Sequence, residues 1–520
     1  MPRRHRRPAA ALPSVPAGAE LRPTRPANPM QAPAPVRAML VGPSTTPLAS
    51  TVSPVADDGR ALLADDGHGP RTVDVLVLGA DAPSHRVPSL EDEAAAAGIP
   101  LLRPGPSVTV EMRGMNPIGW RRETREQLGV YLADPHRSEA WRAVTDIARH
   151  VDHNRLVVLV PDACSTPVRA EGLTVRAVPA TDPPALSREL HTYRGLIDHP
   201  LAHASTEARA TWLVALAARG IPVIPTTTEG LAPGVSEPLE HAFRNALLDD
   251  LDDADRREQL SLRLRRITRR HHAPHEVWGR FAAETGFRWP KQPTVSVLLA
   301  SNRPNLVEDA VRRIARQSYP ELEIIVALHG DGFADDLVER LHSLTERPLE
   351  TLRVEADVPL GEVLNLATSV AGGDLIAKMD DDDLYDVDHL VDLVEALRYS
   401  DATIVGKGSE FVYLSELDVT IRRFTNGAES GNRNVAGGTL LLGRDALLSA
   451  GKWQRARRSV DQRLIDDILH IGGRLHRTHG HGFVLMRTES GHTWDTSVDY
   501  FLQQATQQWR GLALQVAGVS

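Results

Sequence analysis

The chain runs to 520 residues, 42% hydrophobic and 24% charged, with a formal net charge of -9. That length exceeds what one core organises, so two domains with tails are expected, and the acidic balance argues against a general nucleic-acid binder. No stretch approaches the ~18 uninterrupted apolar residues of a spanning helix, and no signal-peptide core follows the basic start. A cytoplasmic protein is expected, with association at the inner face of a membrane left open. Its single cysteine, Cys164, excludes an intrachain disulfide and a cysteine-based zinc site. With no histidine partner suggested nearby, Cys164 reads as a packing residue.

Residues 1–70 are rich in Pro, Ala and Arg, lack apolar periodicity and read as a disordered tail. From 71 to 285 short apolar runs alternate with helical stretches. Val73 to Leu78 stops at Gly79, Leu156 to Val160 stops at Pro161-Asp162, and Ile221 to Ile224 follows a helical Glu207 to Arg219. The alternation predicts a Rossmann-like α/β domain. Tyr193, Arg194, Asp198 and His199 are polar candidates in it, with ordinary core or surface roles the simpler reading. An arginine-rich helical run, Arg256 to Arg270, leads to a Pro-flanked linker at 286–293.

A second domain is expected over 294–515. Thr294 to Leu299 reads as a buried strand, Ser301-Asn-Arg-Pro as a turn, and Val307, Val311 and Ile314 as one face of a helix. Strands at Leu322 to Leu328 and near Thr351 to Val354 follow, with helical crossovers that specify a mainly parallel sheet.

Leu375 to Met379 then delivers four carboxylates, Asp380 to Asp383, just before a helical Val387 to Leu397. Two unit charges about 4 Å apart repel by roughly 1 kcal/mol in water and about 4 kcal/mol at an effective dielectric of 20, so such crowding calls for a positive partner. Solvating a helix N-terminus is the simpler role, worth about 0.3–1 kcal/mol. At the carboxyl end of a strand, however, the oxygens suit Mg²⁺ or Mn²⁺ carrying a phosphate. Asp380 and Asp382 would be the metal pair, with Asp381 and Asp383 alternating away.

Four ordered pieces, VSVLLASNRP, LGEVLNLATSVAGGDLIAKMDDDD, AGGTLLLGRDAL and VDQRLIDDI followed by GHTW, make residues 293–510 resemble family-2 glycosyltransferases of the GT-A fold. More loosely, LHTYRGLIDHPLAH and WLVALAARGIPVIP resemble the nucleotide-binding half of GT-B glycosyltransferases, including CgeB-like proteins. The expected architecture is therefore a Rossmann-like, GT-B-like α/β domain followed by a GT-A domain with a mainly parallel mixed sheet.

The resemblance implies that Asp380 and Asp382 hold Mn²⁺ or Mg²⁺ against the diphosphate of a nucleotide sugar, beside Asp381, and that His492 completes the metal shell. It implies that Ala300, Ser301 and Arg303 form the first nucleotide-binding loop, that Gly361 and Asn365 contact nucleotide or sugar, and that Asp461 is the base of an inverting transfer. Asp466 and Asp467 are rivals to Asp461 that cannot share its helix face. Arg457 and Arg458 stand between a diphosphate contact and a solvated basic face, and Trp494 between sugar packing and core.

One departure concerns the base. Where family members often carry consecutive acids this chain has Leu328 and His329, with Asp331 two residues on, so a UDP-sugar is favoured only weakly. The resemblance implies transfer to a hydroxyl acceptor, a glycan or lipid-linked precursor of the envelope. Two alternatives stay open: a non-catalytic scaffold of degenerate domains, and a sugar-phosphate nucleotidyltransferase. The latter needs a Gly-rich, basic pyrophosphate loop that Ala300-Ser-Asn-Arg-Pro does not supply.

Overall fold

The computed structural model describes residues 38–41, 75–78, 101–102, 108, 127–162, 173–179, 183–232, 234–285, 292–424, 427–488 and 497–519. Cys164, His492 and Trp494 lie outside them, as does nearly all of the segment read as a tail. Inside that segment Ala38–Val41 is a strand, paired in parallel with Val75–Leu78, which pairs in turn with Leu101–Leu102.

The next sheet has five parallel strands in the order Thr174–Val178, Leu156–Pro161, Leu128–Tyr131, Leu196–Asp198, Val223–Pro225. In chain order this is third, second, first, fourth, fifth, the arrangement of a Rossmann-type sheet. Leu156 to Leu159 are all buried, as a strand covered on both faces requires. The helices Ser138–Ala148 and Thr206–Ala218 supply apolar cover through Val144, Ile147, Leu213 and Val214.

The C-terminal half is built on seven strands in the order Leu349–Val354, Leu322–His329, Val295–Ser301, Leu375–Lys378, Leu441–Gly443, Ile404–Lys407, Leu475–Thr478. All neighbouring pairs are parallel except those made by Leu441–Gly443, which runs against both its neighbours. The helix Val307–Ala315 buries Val307, Ala310, Val311 and Ile314, the face its spacing predicts. The chain builds outward from Val295–Ser301 on one side and then returns to add Leu375–Lys378 on the other. The crevice between these two strands is thus a topological switch point, the usual ligand site of an open α/β sheet. A second sheet, ordered Leu384–Tyr385, Phe483–Arg487, Phe411–Leu414, Val419–Arg423, Ala505–Arg510, forms a wall beside it.

One helix belongs to both halves. Ala254–His272 buries Leu260 and Leu264 in the N-terminal core, while its charged face meets the C-terminal half. Arg265 pairs with Glu429 at 2.9 Å, Arg266 with Asp392 at 2.6 Å, and Glu258 with Arg422 at 2.5 Å. Buried charges survive only when paired in this way. Among the described residues no helix is long and apolar enough to cross a membrane.

Candidate active site

A cleft of about 810 Å³ opens at the switch point, lined by residues of both C-terminal sheets. Its floor is the acidic run at the end of Leu375–Lys378. Side-chain exposure alternates along that run, 36% at Asp380 and 17% at Asp382 against 1% at Asp381 and 3% at Asp383. Asp383 turns inward to accept from the Met486 N–H at 3.0 Å, and burial pushes its carboxyl well up.

The first strand meets this run across the crevice. Ser301 Oγ donates to Asp381 Oδ2 at 2.5 Å, and Arg303 donates from Nη1 to Asp382 Oδ2 at 2.8 Å while a further Nη2 bond holds Asp381. Against the cost of burial, Asp382 and Asp381 raise the Arg303 pKa. Ala300 and Arg303 line the cleft. Ser301 and Asp381 are buried, Asp381 at the edge of the cleft, and their bond fixes the loop to the acidic strand.

Asp461, near the start of the helix Val460–His470, faces Asp380 across the turn Gly437–Thr439. The turn passes so close that a Cβ on Gly437 would strike the Asp461 carboxylate, and one on Gly438 would come within 2.8 Å of Asp380 Oδ2. Between the two acids stands Lys378, 5% exposed, with Nζ 2.6 Å from Asp380 Oδ1 and 3.4 Å from Asp461 Oδ1. Burial alone would lower its pKa; Asp380 and Asp461 together raise it instead. Oδ1 of Asp461 is buried against Lys378, its ion-pair partner. Its rivals are engaged elsewhere: Asp466 pairs with Arg433, and Asp467 accepts from Gln454 Nε2 at 2.7 Å.

Two expected donor contacts are not in the cleft. Gly361 is buried in the helix Leu360–Val370, where its N–H donates to the Ala456 carbonyl at 3.0 Å and the Gln454 backbone occupies the space a side chain would need. Asn365 donates from Nδ2 to the Trp453 carbonyl at 2.9 Å and accepts from the Trp453 N–H at 3.1 Å. Both residues clamp the segment that leads into Asp461. Similarly, Asp331 is exposed and Leu328 is core, leaving His329 as the residue at that strand end which lines the cleft.

Arg457 and Arg458 line the cleft, Arg457 Nη2 donating to the Asp357 carbonyl at 2.8 Å. Lys378, Arg423, Arg487 and Tyr500 also line it and were not among the expected residues. Arg423, Arg487 and Tyr500 lie outside the motif pieces, and the second sheet with the helix Val498–Leu502 brings them here. In the N-terminal half the polar candidates have structural partners. Asp198 accepts from Arg209 Nε at 2.8 Å and lies 2.6 Å from His203 Nε2, and Arg194 pairs with Asp252.

Among the described residues no three His, Cys, Asp or Glu side chains gather as a metal-holding group. The proposed third ligand, His492, is outside them. Asp380 and Asp382 nevertheless present hard oxygen donors to the same cleft, which is the chemistry a Mg²⁺ or Mn²⁺ ion with several non-protein ligands requires.

No curated protein matches the chain. Among solved structures, the mannosyltransferase PcManGT from Pyrobaculum calidifontis, in complex with GDP-Man and Mn²⁺, is similar at 17% identity and a TM-score of 0.33, over 42% of this chain and 66% of that one. TarS from S. aureus is similar at 15% identity and a TM-score of 0.30, over 37% of each chain. The similarity thus spans less than two thirds of either protein's length. Residues 297–435, which hold most of the strand Val295–Ser301, the acidic run and the strands behind them, match the model of Glycosyl transferase family 2. Over those residues this chain is therefore similar to a family 2 glycosyltransferase domain.

Proposed function

We propose that the chain transfers a sugar from a nucleotide-diphosphate sugar to a hydroxyl acceptor, with inversion and with the help of a divalent metal. The observation that carries this reading is the meeting of Asp380, Asp382 and Asp461 in one cleft at the switch point, with Lys378 between the first and the last. Asp380 and Asp382 are the residues that would hold Mn²⁺ or Mg²⁺, whose role when bound is to neutralise charge on the departing diphosphate. Diphosphate oxygens and water would complete its coordination.

The chain's own residues account for the remainder. Arg303 and Ser301 tie the nucleotide loop to the acidic strand, so donor and carboxylates are held on one rigid frame. The Asp461 carboxylate, 28% exposed and lining the cleft, is the acceptor for the proton of the incoming hydroxyl. As that proton passes to Asp461, the hydroxyl oxygen bonds to the anomeric carbon from the face opposite the breaking carbon–oxygen bond. The electron pair of that bond leaves with the diphosphate.

A thermal-shift panel of nucleoside diphosphates, with and without Mn²⁺, tests the reading on wild type, Asp382→Asn and Asp461→Asn. A ligand at about 100 times its dissociation constant adds roughly 2.7 kcal/mol of stability. Metal-dependent stabilisation in wild type and Asp461→Asn, lost in Asp382→Asn, is expected. Glycosyl transfer by Asp461→Asn at the wild-type rate would remove Asp461 from its role. The nucleotide identified by the panel decides whether UDP is the carrier.

A further inference from the structure

Lysine is rare in this chain. Against 59 lysines and arginines together, the lysines are Lys291, Lys378, Lys407 and Lys452 alone. Lys378 closes the strand Leu375–Lys378 and is 5% exposed, with an acid of the cleft on either side. Its Nζ donates to Asp380 Oδ1 at 2.6 Å and stands 3.4 Å from Asp461 Oδ1. Tyr385 fixes the first of these acids to the Gly437–Thr439 turn, its hydroxyl accepting from the Asp380 N–H at 2.8 Å and donating to the Gly438 carbonyl at 2.9 Å.

In each acid one oxygen faces the ammonium and the other lies against a glycine of the turn. Asp461 Oδ1 is buried, and its Oδ2 sits where a Cβ on Gly437 would strike it. Asp380 Oδ2 sits 2.8 Å from the place of a Cβ on Gly438. Both acids and both glycines line the cleft, so the oxygens left to it are the two Oδ2 atoms. An aspartate alone does not fix which oxygen faces outward, since its last torsion is broad and a half turn exchanges the two. Two carboxylates held across one turn also repel. An ammonium between them offsets the repulsion and sets both torsions at once. Its compact head carries three donors on one nitrogen, which suits two acids converging on a point, where a planar guanidinium offers its fork to one.

We propose that Lys378 is a positioning residue for the transfer, holding Oδ1 of Asp380 and of Asp461 so that Oδ2 of each is presented to the cleft at a fixed separation. Because the two acids share one cation, whatever draws on Asp380 is also felt at Asp461. This deepens the transferase reading and rests on the roles given there to the two acids. The proton acceptor is thus placed by the contact that also orients a metal-site carboxylate, and not by its own helix alone.

Calorimetry on the full-length chain measures the affinity for Mg²⁺ with each of UDP, GDP, ADP, CDP and dTDP, in wild type, Asp461→Asn, Lys378→Met and the double variant. With Lys378 shared, Asp461→Asn leaves the whole cation to Asp380 and should weaken metal-dependent nucleotide binding about threefold or more, an effect of the size that contacting residues exert on one another. In the Lys378→Met background the same substitution should not weaken it. Equal weakening in both backgrounds overturns the positioning role, and so does none in wild type. Should Lys378→Met fail to fold, Lys378→Gln, which keeps an amide donor without the charge, takes its place. Labelling with ¹³C,¹⁵N-lysine gives a second reading from only four side chains. Mg²⁺ with nucleotide should move the Lys378 signal in wild type, as the ammonium leans toward Asp461, and move it less in Asp461→Asn. The same movement in both would make Lys378 a fixed structural cation. A wild type that binds none of the nucleotides with metal overturns the transferase reading itself, and the positioning role with it.

Discussion

Lys378 Nζ stands 2.6 Å from Asp380 Oδ1 and 3.4 Å from Asp461 Oδ1, so one buried cation joins a proposed metal ligand to the proposed base. Replacing it as Lys378→Met leaves two carboxylates facing each other across the Gly437–Thr439 turn. Removing one partner of a buried pair costs about 3–5 kcal/mol; with Asp380 36% exposed, a loss near the lower end, about 3 kcal/mol, is expected. The denaturant midpoint reads this, and nucleotide affinity measured with metal should fall in parallel.

Gly438→Ala probes the same geometry without touching a charge. The new methyl would lie 2.7 Å from the Tyr385 hydroxyl and 2.8 Å from Asp380 Oδ2, and Tyr385 is itself fixed, donating to the Gly438 carbonyl at 2.9 Å. Overpacking of this kind costs about 1–3 kcal/mol. The variant should stay folded and bind nucleotide with metal at least tenfold more weakly. Unchanged binding would mean that the turn and the Asp380 carboxylate separate easily.

Arg266→Met tests the seam between the halves. Arg266 forks onto Asp392, Nε to Oδ1 at 3.0 Å and Nη2 to Oδ2 at 2.6 Å, while Lys407 Nζ reaches the same carboxylate at 2.7 Å. Despite burial, these cations hold Asp392 well below the usual carboxylate range. With Lys407 retained, the substitution should destabilise by about 3 kcal/mol. A change within 0.5 kcal/mol, roughly that of a surface site, would show the fork to be dispensable.

Acid should weaken the fold before its depressed carboxylates protonate. His479 is buried, 3.4 Å from Asp392, and shares its surroundings with Lys407 and Arg265. Burial and Lys407, opposed by Asp392, depress its pKa from 6.5 to about 3. His389, also buried there, is held well below its ordinary value. Unfolding therefore takes up protons once the pH falls below about 6.5, and each such histidine steepens the decline by about 1.4 kcal/mol per pH unit. Between pH 6.5 and 5 the depressed carboxylates do not contribute, since their unfolded values lie near 4. Urea midpoints over that window should fall in wild type and fall less steeply in His479→Gln. Parallel slopes would assign the uptake to other groups.

The strands Val295–Ser301, Leu322–His329 and Leu375–Lys378 were legible because each is a buried, mainly apolar run of four to eight residues. The acidic run was legible because four adjacent carboxylates require an external cause. Gly361 and Asn365 lie outside the cleft for a physical reason. A glycine that admits a ligand and a glycine that admits another backbone look alike in sequence, and here the Gln454 backbone fills the space. Lys378, Arg423 and Arg487 were not legible at all, because what makes them notable is a neighbour brought by the sheets. The run Arg256 to Arg270 was visible only as basic; its partners Asp392 and Glu429 stand 126 and 164 residues away in the chain.

That helix also limits the protein's modularity. Ala254–His272 gives Leu260 and Leu264 to one core and Glu258, Arg265 and Arg266 to the other half. A cut before it strands the leucines in water, and a cut after it strands Asp392, Glu429 and Arg422. The point at which the fold can be divided is therefore not the Pro-flanked linker the sequence advertises. Exchange of the N-terminal domain between relatives would have to preserve both faces of this helix at once.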